Sequence, residues 1–509
     1  MCVLPLSLKK GKPAKVQFEH TFTAPEQFTD IILASPLYPT LKSTYRIEVP
    51  AELASVITLN PHNFPERTEL KCEYLPSGDR LYTVSLDEEK KFVREKLGTS
   101  AAQYVPRIEV SGYFTDTEAI YEFLHSKVSD EERSESVAAF ARELCAGLDN
   151  DVARIDTIAS WVRNNIRYIA VEHGEYAYRP DAAEAVLTKR YGDCKGSANL
   201  IRTMLRSVGI DGRLVWIGTK GDVLGSWTLR PSLAAGNHMI AAAILPDTTI
   251  YIDGTIANAP AGLIPSSIAG RECLILNGDK CMIDTLPHLP PDSNTIEFSG
   301  QIAVAPSGLE GRYSAKYTGE MRMGLENYLQ SLSAPKRKAA LVALVSYGRK
   351  GVRPENVAIS TPGENALYSL VEYDECDPSG VRELSAGKTY VLLRPFRAVN
   401  YPSLDVRDRS SDIDLGMKAT FKTRLVCKLP DDMAIETIPA AKEIHSPWFE
   451  GFVEYTLSDD GTSLTCDALL RCIRSEGRAD EVALWNQAVK EIEKISSAPI
   501  VLKKVLTNE

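Results

Sequence analysis

One short segment, YGDCK at residues 191–195, has the residue types that nucleophilic catalysis requires. Asp193 can cap a following helix, and Gly192 permits a tight backbone turn before it. Cys194 is then expected in the first helical turn, where unpaired N–H groups and the helix dipole favour an anion. A thiol in such a position ionises more readily than an ordinary cysteine, and the same N–H groups can stabilise an oxyanion. A buried structural cysteine is the competing interpretation.

A thiol nucleophile needs a base, and the base needs a group that orients it. His238 begins a predicted strand, and Asp253 ends the next one, after the turn signal LPDT at 245–248. If the hairpin is centred at 245–246, His238 lies directly opposite Asp253, about 4.5–5.5 Å away. Each residue taken singly has a more common interpretation, as a strand-end histidine or a turn aspartate. In this order, Cys194, His238 and Asp253 form a candidate catalytic triad, provided that the register holds.

The elements that must position these residues are helices followed by strands. Apolar residues at helical spacing predict a helix after Ser129, which forms a capping box with Glu132, and a second helix around 155–162. Further helices are predicted at 180–189 and from Cys194 to a glycine cap at Gly209. Strands are predicted at 213–218, 238–245 and 249–253. Helices followed by an antiparallel sheet indicate an α+β domain, placed at 126–285.

The flanking regions are predicted to be rich in β-strands. Residues 1–125 contain alternating segments at 43–49 and 80–86, and the region 286–509 begins after a proline-rich linker. The second region also contains a helical stretch at 321–347 and a terminal helix at 480–495 with one apolar stripe. The sequence therefore predicts a multidomain α+β protein whose α+β core lies between two β-rich domains.

Four segments resemble the transglutaminase-like branch of the papain-type cysteine enzymes. They are residues 166–180 (IRYIAVEHGEYAYRP), 191–195 with 205–210 (LRSVGI), 237–239 (NHM) and 251–255 (YIDGT). More narrowly, the chain is similar to bacterial multidomain proteins with a transglutaminase core between uncharacterised β-rich domains. The resemblance covers about 155–256 and implies that Cys194 is the nucleophile, His238 the base and Asp253 its orienting group.

The sequence departs from this family in ways that bear on the reaction. Crosslinking animal transglutaminases carry Gln before and Trp after the cysteine, where this chain has Asp193 and Lys195. Many bacterial relatives have Asp at the position of Gly196. These departures favour hydrolysis of a peptide or amide over crosslinking, although acyl transfer to an amine stays open. A non-catalytic binding or assembly protein on the same scaffold is the alternative from another functional class.

The net charge and the apolar content of the chain limit the kinds of partner that are expected. The net charge is −10 and the chain has no long basic run, which is a poor basis for binding nucleic acid. No apolar run is long enough to span a bilayer, and residues 1–8 are too short for a signal-peptide core. Relatives usually carry an export signal and a longer first domain, so we expect that upstream sequence is missing. The localisation is unknown from this chain alone, and the resemblance implies an exported or periplasmic protein if upstream sequence is indeed missing. A protein or peptide substrate is expected, and the oligomeric state is left open.

No cofactor or metal site is predicted. The ten cysteines are scattered without a C-x-x-C pair, and most are expected to be buried free thiols. Cys273, Cys281 and His288 are too irregularly spaced for a common zinc motif. The acidic stretch 405–414 lacks the glycine and final glutamate of a calcium loop. Tyr168, Glu172, His173 and Tyr176 could line the cleft or serve packing roles.

Overall fold

The computed structural model describes residues 19, 21, 24, 26, 28–32, 40–89, 94–100, 103–128, 134–170, 177–221, 225–229, 231–257, 259–278, 280–361, 367–383, 387–407 and 409–505. Several sequence-based expectations concern residues outside these ranges. They are the segment 1–8, the capping box of Ser129 and Glu132, and the cleft candidates Glu172, His173 and Tyr176.

The first region is built from two three-stranded antiparallel sheets, with strand orders β1-β6-β3 and β2-β5-β4. The two predicted strands pair with each other within β2 and β5, and Val49 faces Arg80. A small apolar core lies between the sheets and includes Leu86 and Ile108. The strands are β1 (Asp30–Ile32), β2 (Thr40–Val49), β3 (Thr58–His62), β4 (Lys71–Tyr74), β5 (Arg80–Glu89) and β6 (Arg107–Ser111).

The central region contains five helices and a five-stranded sheet of order β11-β10-β9-β12-β13. Helix α5 is buried along most of its length, and it contacts β9 and β10 in the middle of this sheet. The elements are α1 (Thr117–Ser126), α2 (Glu135–Leu144), α3 (Asp151–Asn165), β7 (Arg167–Tyr168), α4 (Ala183–Lys189), β8 (Tyr191–Gly192), α5 (Cys194–Ser207), β9 (Asp211–Ile217), β10 (His238–Ile244), β11 (Thr249–Ile252), β12 (Glu272–Ile275) and β13 (Met282–Thr285).

Helix α1, at the start of this region, was not predicted from the sequence. Helix α1 lies in a stretch that showed no helical signal, yet Ile120 and Leu124 pack in the same core as α5. The described part of α2 is capped by Ser134, whose hydroxyl accepts from the N–H of Val137. The predicted end of α5 is correct, because Gly209 has φ +85° just beyond the helix.

The last region contains an eight-stranded sheet, three helices and a smaller four-stranded sheet. The apolar stripe predicted for the terminal helix is confirmed, since Trp485, Val489 and Ile492 are buried. The elements are β14 (Thr295–Ala305), β15 (Gly308–Thr318), α6 (Gly319–Gln330), α7 (Ala334–Ser346), β16 (Arg353–Ser360), β17 (Tyr368–Asp377), β18 (Val381–Glu383), β19 (Lys388–Val391), β20 (Ile413–Asp414), β21 (Ala419–Lys428), β22 (Met433–Thr437), β23 (Lys442–His445), β24 (Phe449–Leu457), β25 (Ser463–Cys472), β26 (Glu476–Gly477), α8 (Val482–Ser496) and β27 (Ile500–Lys504).

The chain is thus a mixed α+β protein with extensive β-rich regions. Among its described helices, none has the length and apolar character needed to cross a bilayer.

Candidate active site

The candidate nucleophile is the first residue of α5, and its N-terminal neighbour fixes the helix start. The Asp193 side chain accepts a hydrogen bond from the N–H of Gly196 at 2.8 Å, so the predicted N-cap is confirmed. The same carboxylate pairs with Lys195, whose side chain is only 2% exposed. Cys194 is itself buried. The cysteine is therefore held in the first helical turn, where N–H groups lack partners within the helix.

Gly192 does not form the tight turn predicted for it. It lies in β8 and is absent from the positive-φ positions of the described chain, whereas Arg190 has φ 61° at the end of α4. A Cβ atom on Gly192 would come 3.3 Å from Val186 of that helix. The glycine therefore permits close packing of α4 beside the nucleophile segment, and the arginine makes the turn.

The hairpin that carries His238 and Asp253 has a different register from the predicted one. Strands β10 and β11 pair Ala241 with Ile252, so His238 would face residue 255 rather than Asp253. The turn is centred between Pro246 and Asp247, one residue further along the chain than predicted, and each shift at the centre moves a partner by two. A two-residue shift keeps side chains on the same face, because their direction alternates with period two. Asp253 is therefore a diagonal neighbour of His238, still within reach of an imidazole.

The structure brings the three candidate side chains together. His238 Nε2 lies 2.9 Å from Asp253 Oδ2, and the imidazole also has the Cys194 thiol as a hydrogen-bonding partner. Burial lowers the pKa of His238, but the charge and hydrogen bond of Asp253, with the contact to Cys194, outweigh it and raise this pKa to about 10. The environment therefore favours a protonated imidazole at neutral pH.

The Asp253 carboxylate is held on both of its oxygens. While Oδ2 faces His238, Oδ1 accepts from the backbone N–H of Thr255 at 2.9 Å and from its hydroxyl at 2.6 Å. Burial raises the pKa of Asp253, yet His238 and the two Thr255 donors lower it below its ordinary value. Burial and ionisation are compatible here because the charged form is fully hydrogen-bonded.

Asp253 also makes a contact through its main chain. Arg163 of α3 donates from Nε to the Asp253 carbonyl oxygen at 2.8 Å and from Nη1 to the Ala259 carbonyl oxygen at 2.5 Å. Sequence reasoning missed Arg163, which lies on the buried face of α3 where an apolar residue is expected. Thr255 was part of the recognised YIDGT segment, and the Asp-x-Thr spacing is a signal for such a local hydrogen-bonded turn.

The other cysteines have different surroundings. All nine cysteines in the described part of the chain are free thiols, and six of them, including Cys194, are buried. Burial raises the pKa of Cys273 to about 12, as it does for Cys427 and Cys466, and that of Cys472 to about 11. Each of these four is thus an unreactive thiol at neutral pH. Among the described residues, no group of three or more His, Cys, Asp or Glu side chains could hold a metal ion.

Residues 138–249 match the family model of the transglutaminase-like superfamily. The chain therefore contains a transglutaminase-like core, and the matched range includes Cys194 and His238 and ends shortly before Asp253. A search of curated protein sequences found no significant match.

Three solved structures are similar to the chain. A proposed protease from Parabacteroides distasonis ATCC 8503 aligns over 93% of this chain and 74% of its own, with 14% identity and a TM-score of 0.57. A proposed cysteine protease from Cytophaga hutchinsonii covers 45% of this chain and 71% of its own, with 16% identity and a TM-score of 0.21. The periplasmic domain of TgpA from Pseudomonas aeruginosa covers 45% and 76%, with 12% identity and a TM-score of 0.19. The first of these supports the fold of almost the whole chain.

Proposed function

We propose that this protein is a cysteine enzyme that cleaves or transfers acyl groups of peptides or amides through a thioester at Cys194. The observation that carries the proposal is the position of His238 between the Cys194 thiol and the Asp253 carboxylate. An imidazole with a raised pKa beside a thiol stabilises a thiolate–imidazolium pair, which is a nucleophile and an acid in one unit.

The proposed reaction begins with attack of the Cys194 thiolate on the carbonyl carbon of the substrate amide. The oxyanion of the tetrahedral intermediate is stabilised by N–H groups of the first turn of α5, for which Cys194 and Lys195 are the candidates. When the C–N bond breaks, the His238 imidazolium gives its proton to the leaving amine, and a thioester forms. Asp253 keeps the imidazole oriented throughout and stays ionised.

The second half of the reaction uses His238 as a base. The neutral imidazole takes a proton from water as its oxygen attacks the thioester carbon, and the Cys194 thiolate leaves. An amine in place of water would give a new amide instead. We favour water because the residues that flank the cysteine in crosslinking enzymes are absent. The two residues in their place, Asp193 and Lys195, have structural roles here. Asp193 caps α5, and Lys195 is buried against it.

A peptide-library turnover assay, with and without added amines, tests the proposal. We expect release of free carboxylate products by the wild-type chain and no turnover by Cys194→Ala. Products that form only with amines present would instead assign acyl transfer. Absence of turnover in both conditions, together with an unreactive Cys194, would favour the binding-protein alternative.

A further inference from the structure

We infer that Arg163 is a positioning residue of the proposed triad, because it anchors the main chain of Asp253 and so orients the carboxylate toward His238. The inference rests on the proposed function for the role of the triad itself. The inference is based on contact geometry, because Arg163 forms no ion pair with the side chain of Cys194, His238 or Asp253.

Arg163 bridges the two ends of the segment that follows β11. Its Nε and Nη1 atoms donate to the carbonyl oxygens of Asp253 and Ala259, at 2.8 and 2.5 Å. One rigid guanidinium therefore fixes the distance between these carbonyls, which a flexible or shorter side chain would not do. The bridge begins at the residue whose carboxylate orients the imidazole.

The next residue of the same segment packs against α5, the helix that begins with Cys194. A Cβ atom on Gly254 would lie 2.9 Å from Ile201 and 3.2 Å from Ser197, both on α5. The chain after Asp253 is therefore held between α5 and the guanidinium of α3. Because α5 also carries Cys194, the contacts with Arg163 and α5 together fix the Asp253 carboxylate relative to the Cys194 sulfur as well as to the His238 imidazole.

The electrostatics indicate that Arg163 is kept for its position. The side chain is 5% exposed, and it forms no ion pair within the described residues. Burial lowers the pKa of Arg163 to about 10, and the charges of Asp253 and Asp156 partly compensate. A buried cation without a paired anion is costly, and a leucine or methionine would fill the volume at less cost. Such a residue could not donate hydrogen bonds to the carbonyl oxygens of Asp253 and Ala259.

The test compares Arg163→Met with a matched control, each made in the whole 509-residue chain. Arg206 also lies on a core helix, and it donates to the carbonyl oxygens of Gly212 and Asn277, away from Asp253. The readouts are the pKa of the His238 imidazole by NMR and the rate of Cys194 alkylation by iodoacetamide at pH 7. The exposed thiol of Cys72 serves as the reference within each molecule.

We expect Arg163→Met to lower the His238 pKa by at least one unit and to slow Cys194 alkylation at least tenfold. Arg206→Met should lower the melting temperature and leave both readouts unchanged. Wild-type readouts in Arg163→Met, or equal losses in both variants, would overturn the inference. If Arg163→Met does not fold, Arg163→Lys and Arg163→Gln replace it, and alkylation at the wild-type rate in both would be the contrary result. Failure of the proposed function is distinct, since Cys194 of the wild type would then react no faster than Cys72.

Discussion

Replacing Asp253 with asparagine changes one atom of the carboxylate that faces His238, and the structure predicts a large effect on reactivity. The two Thr255 donors bind Oδ1, so they will hold the carbonyl oxygen of the new amide in that position. The amide nitrogen must then face His238 Nε2, where it donates instead of accepting. The imidazole is forced to carry its proton on Nδ1, which is the wrong tautomer for accepting a proton from the Cys194 thiol.

The magnitude follows from the pKa of His238. This pKa is about 10 in the protein against an ordinary value of 6.5, and Asp253 is the largest of the influences that raise it. At 1.36 kcal/mol for each tenfold change, the difference represents on the order of 5 kcal/mol in favour of the imidazolium. In the variant, burial still lowers this pKa and only the Cys194 contact still raises it, so the pKa of His238 should fall well below its wild-type value. In serine proteases, the corresponding change of tautomer lowers kcat about 10⁴-fold. We expect the rate of Cys194 alkylation in Asp253→Asn to fall by about 10²–10⁴-fold.

The assay measures Cys194 alkylation by iodoacetamide, mapped by mass spectrometry across the pH range, with Cys72 as the internal reference. Melting temperature is measured on the same samples. We expect it to fall because the charge that raises the His238 pKa is lost, but to fall less than in Asp253→Ala, because both Thr255 hydrogen bonds survive. Asp253→Ala is the matched control, since it removes these bonds as well and should destabilise the fold. The reasoning is wrong if Asp253→Asn alkylates at the wild-type rate, or if its His238 pKa stays near 10.

Four further outcomes are expected. In the wild-type chain, brief iodoacetamide treatment should label Cys194 faster than the other cysteines, and uniform labelling would contradict an activated thiol. Thr255→Val removes one donor to a buried carboxylate, which should cost about 1.5–3 kcal/mol of stability and raise the pKa of Asp253, measured by denaturation and NMR. Gly236→Ala would place a Cβ 2.3 Å from the Trp216 indole, two residues before His238, so both melting temperature and Cys194 reactivity should fall. Because the folded-state pKa of His238 is raised, its proton contributes stability that is complete below about pH 6.5 and is lost as pH rises through about 10. The difference in unfolding free energy between wild type and His238→Gln should therefore shrink over that window. A constant difference would argue against the ion pair.

Local patterns were sufficient for the elements that carry the candidate nucleophile. The capping aspartate, the start of α5 and its glycine end depend on residues adjacent in sequence, so short-range rules describe them well. The terminal helix was predictable for the same reason, because its buried stripe repeats at helical spacing. Helix α1 was not, since it packs in a core built by residues far along the chain, and its Thr117 and Tyr121 hydroxyls donate to the distant carbonyl oxygens of Trp227 and Gly278, which no local pattern reports.

The candidate triad was proposed from a register that the hairpin does not have. The turn signal located the loop, but it did not decide between a centre at 245–246 and one at 246–247. The proposed contact survives because the error was an even number of residues, which preserves the face of each strand. An odd error would have sent His238 and Asp253 to opposite faces of the sheet.

The position of the carboxylate is therefore decided outside the β-ladder. The pairing of β10 with β11 ends at Ala241 and Ile252, and His238 pairs instead with Ile217 of β9. Asp253 follows the last paired residue, and three contacts determine its direction: the Thr255 donors, the packing of the next glycine on α5, and the Arg163 bridge. Two of these contacts come from helices distant in sequence. A hairpin with the same strands but without α3 and α5 would leave the carboxylate free to turn to solvent, so the proposed chemistry depends on the packed core as much as on the three residues that perform it.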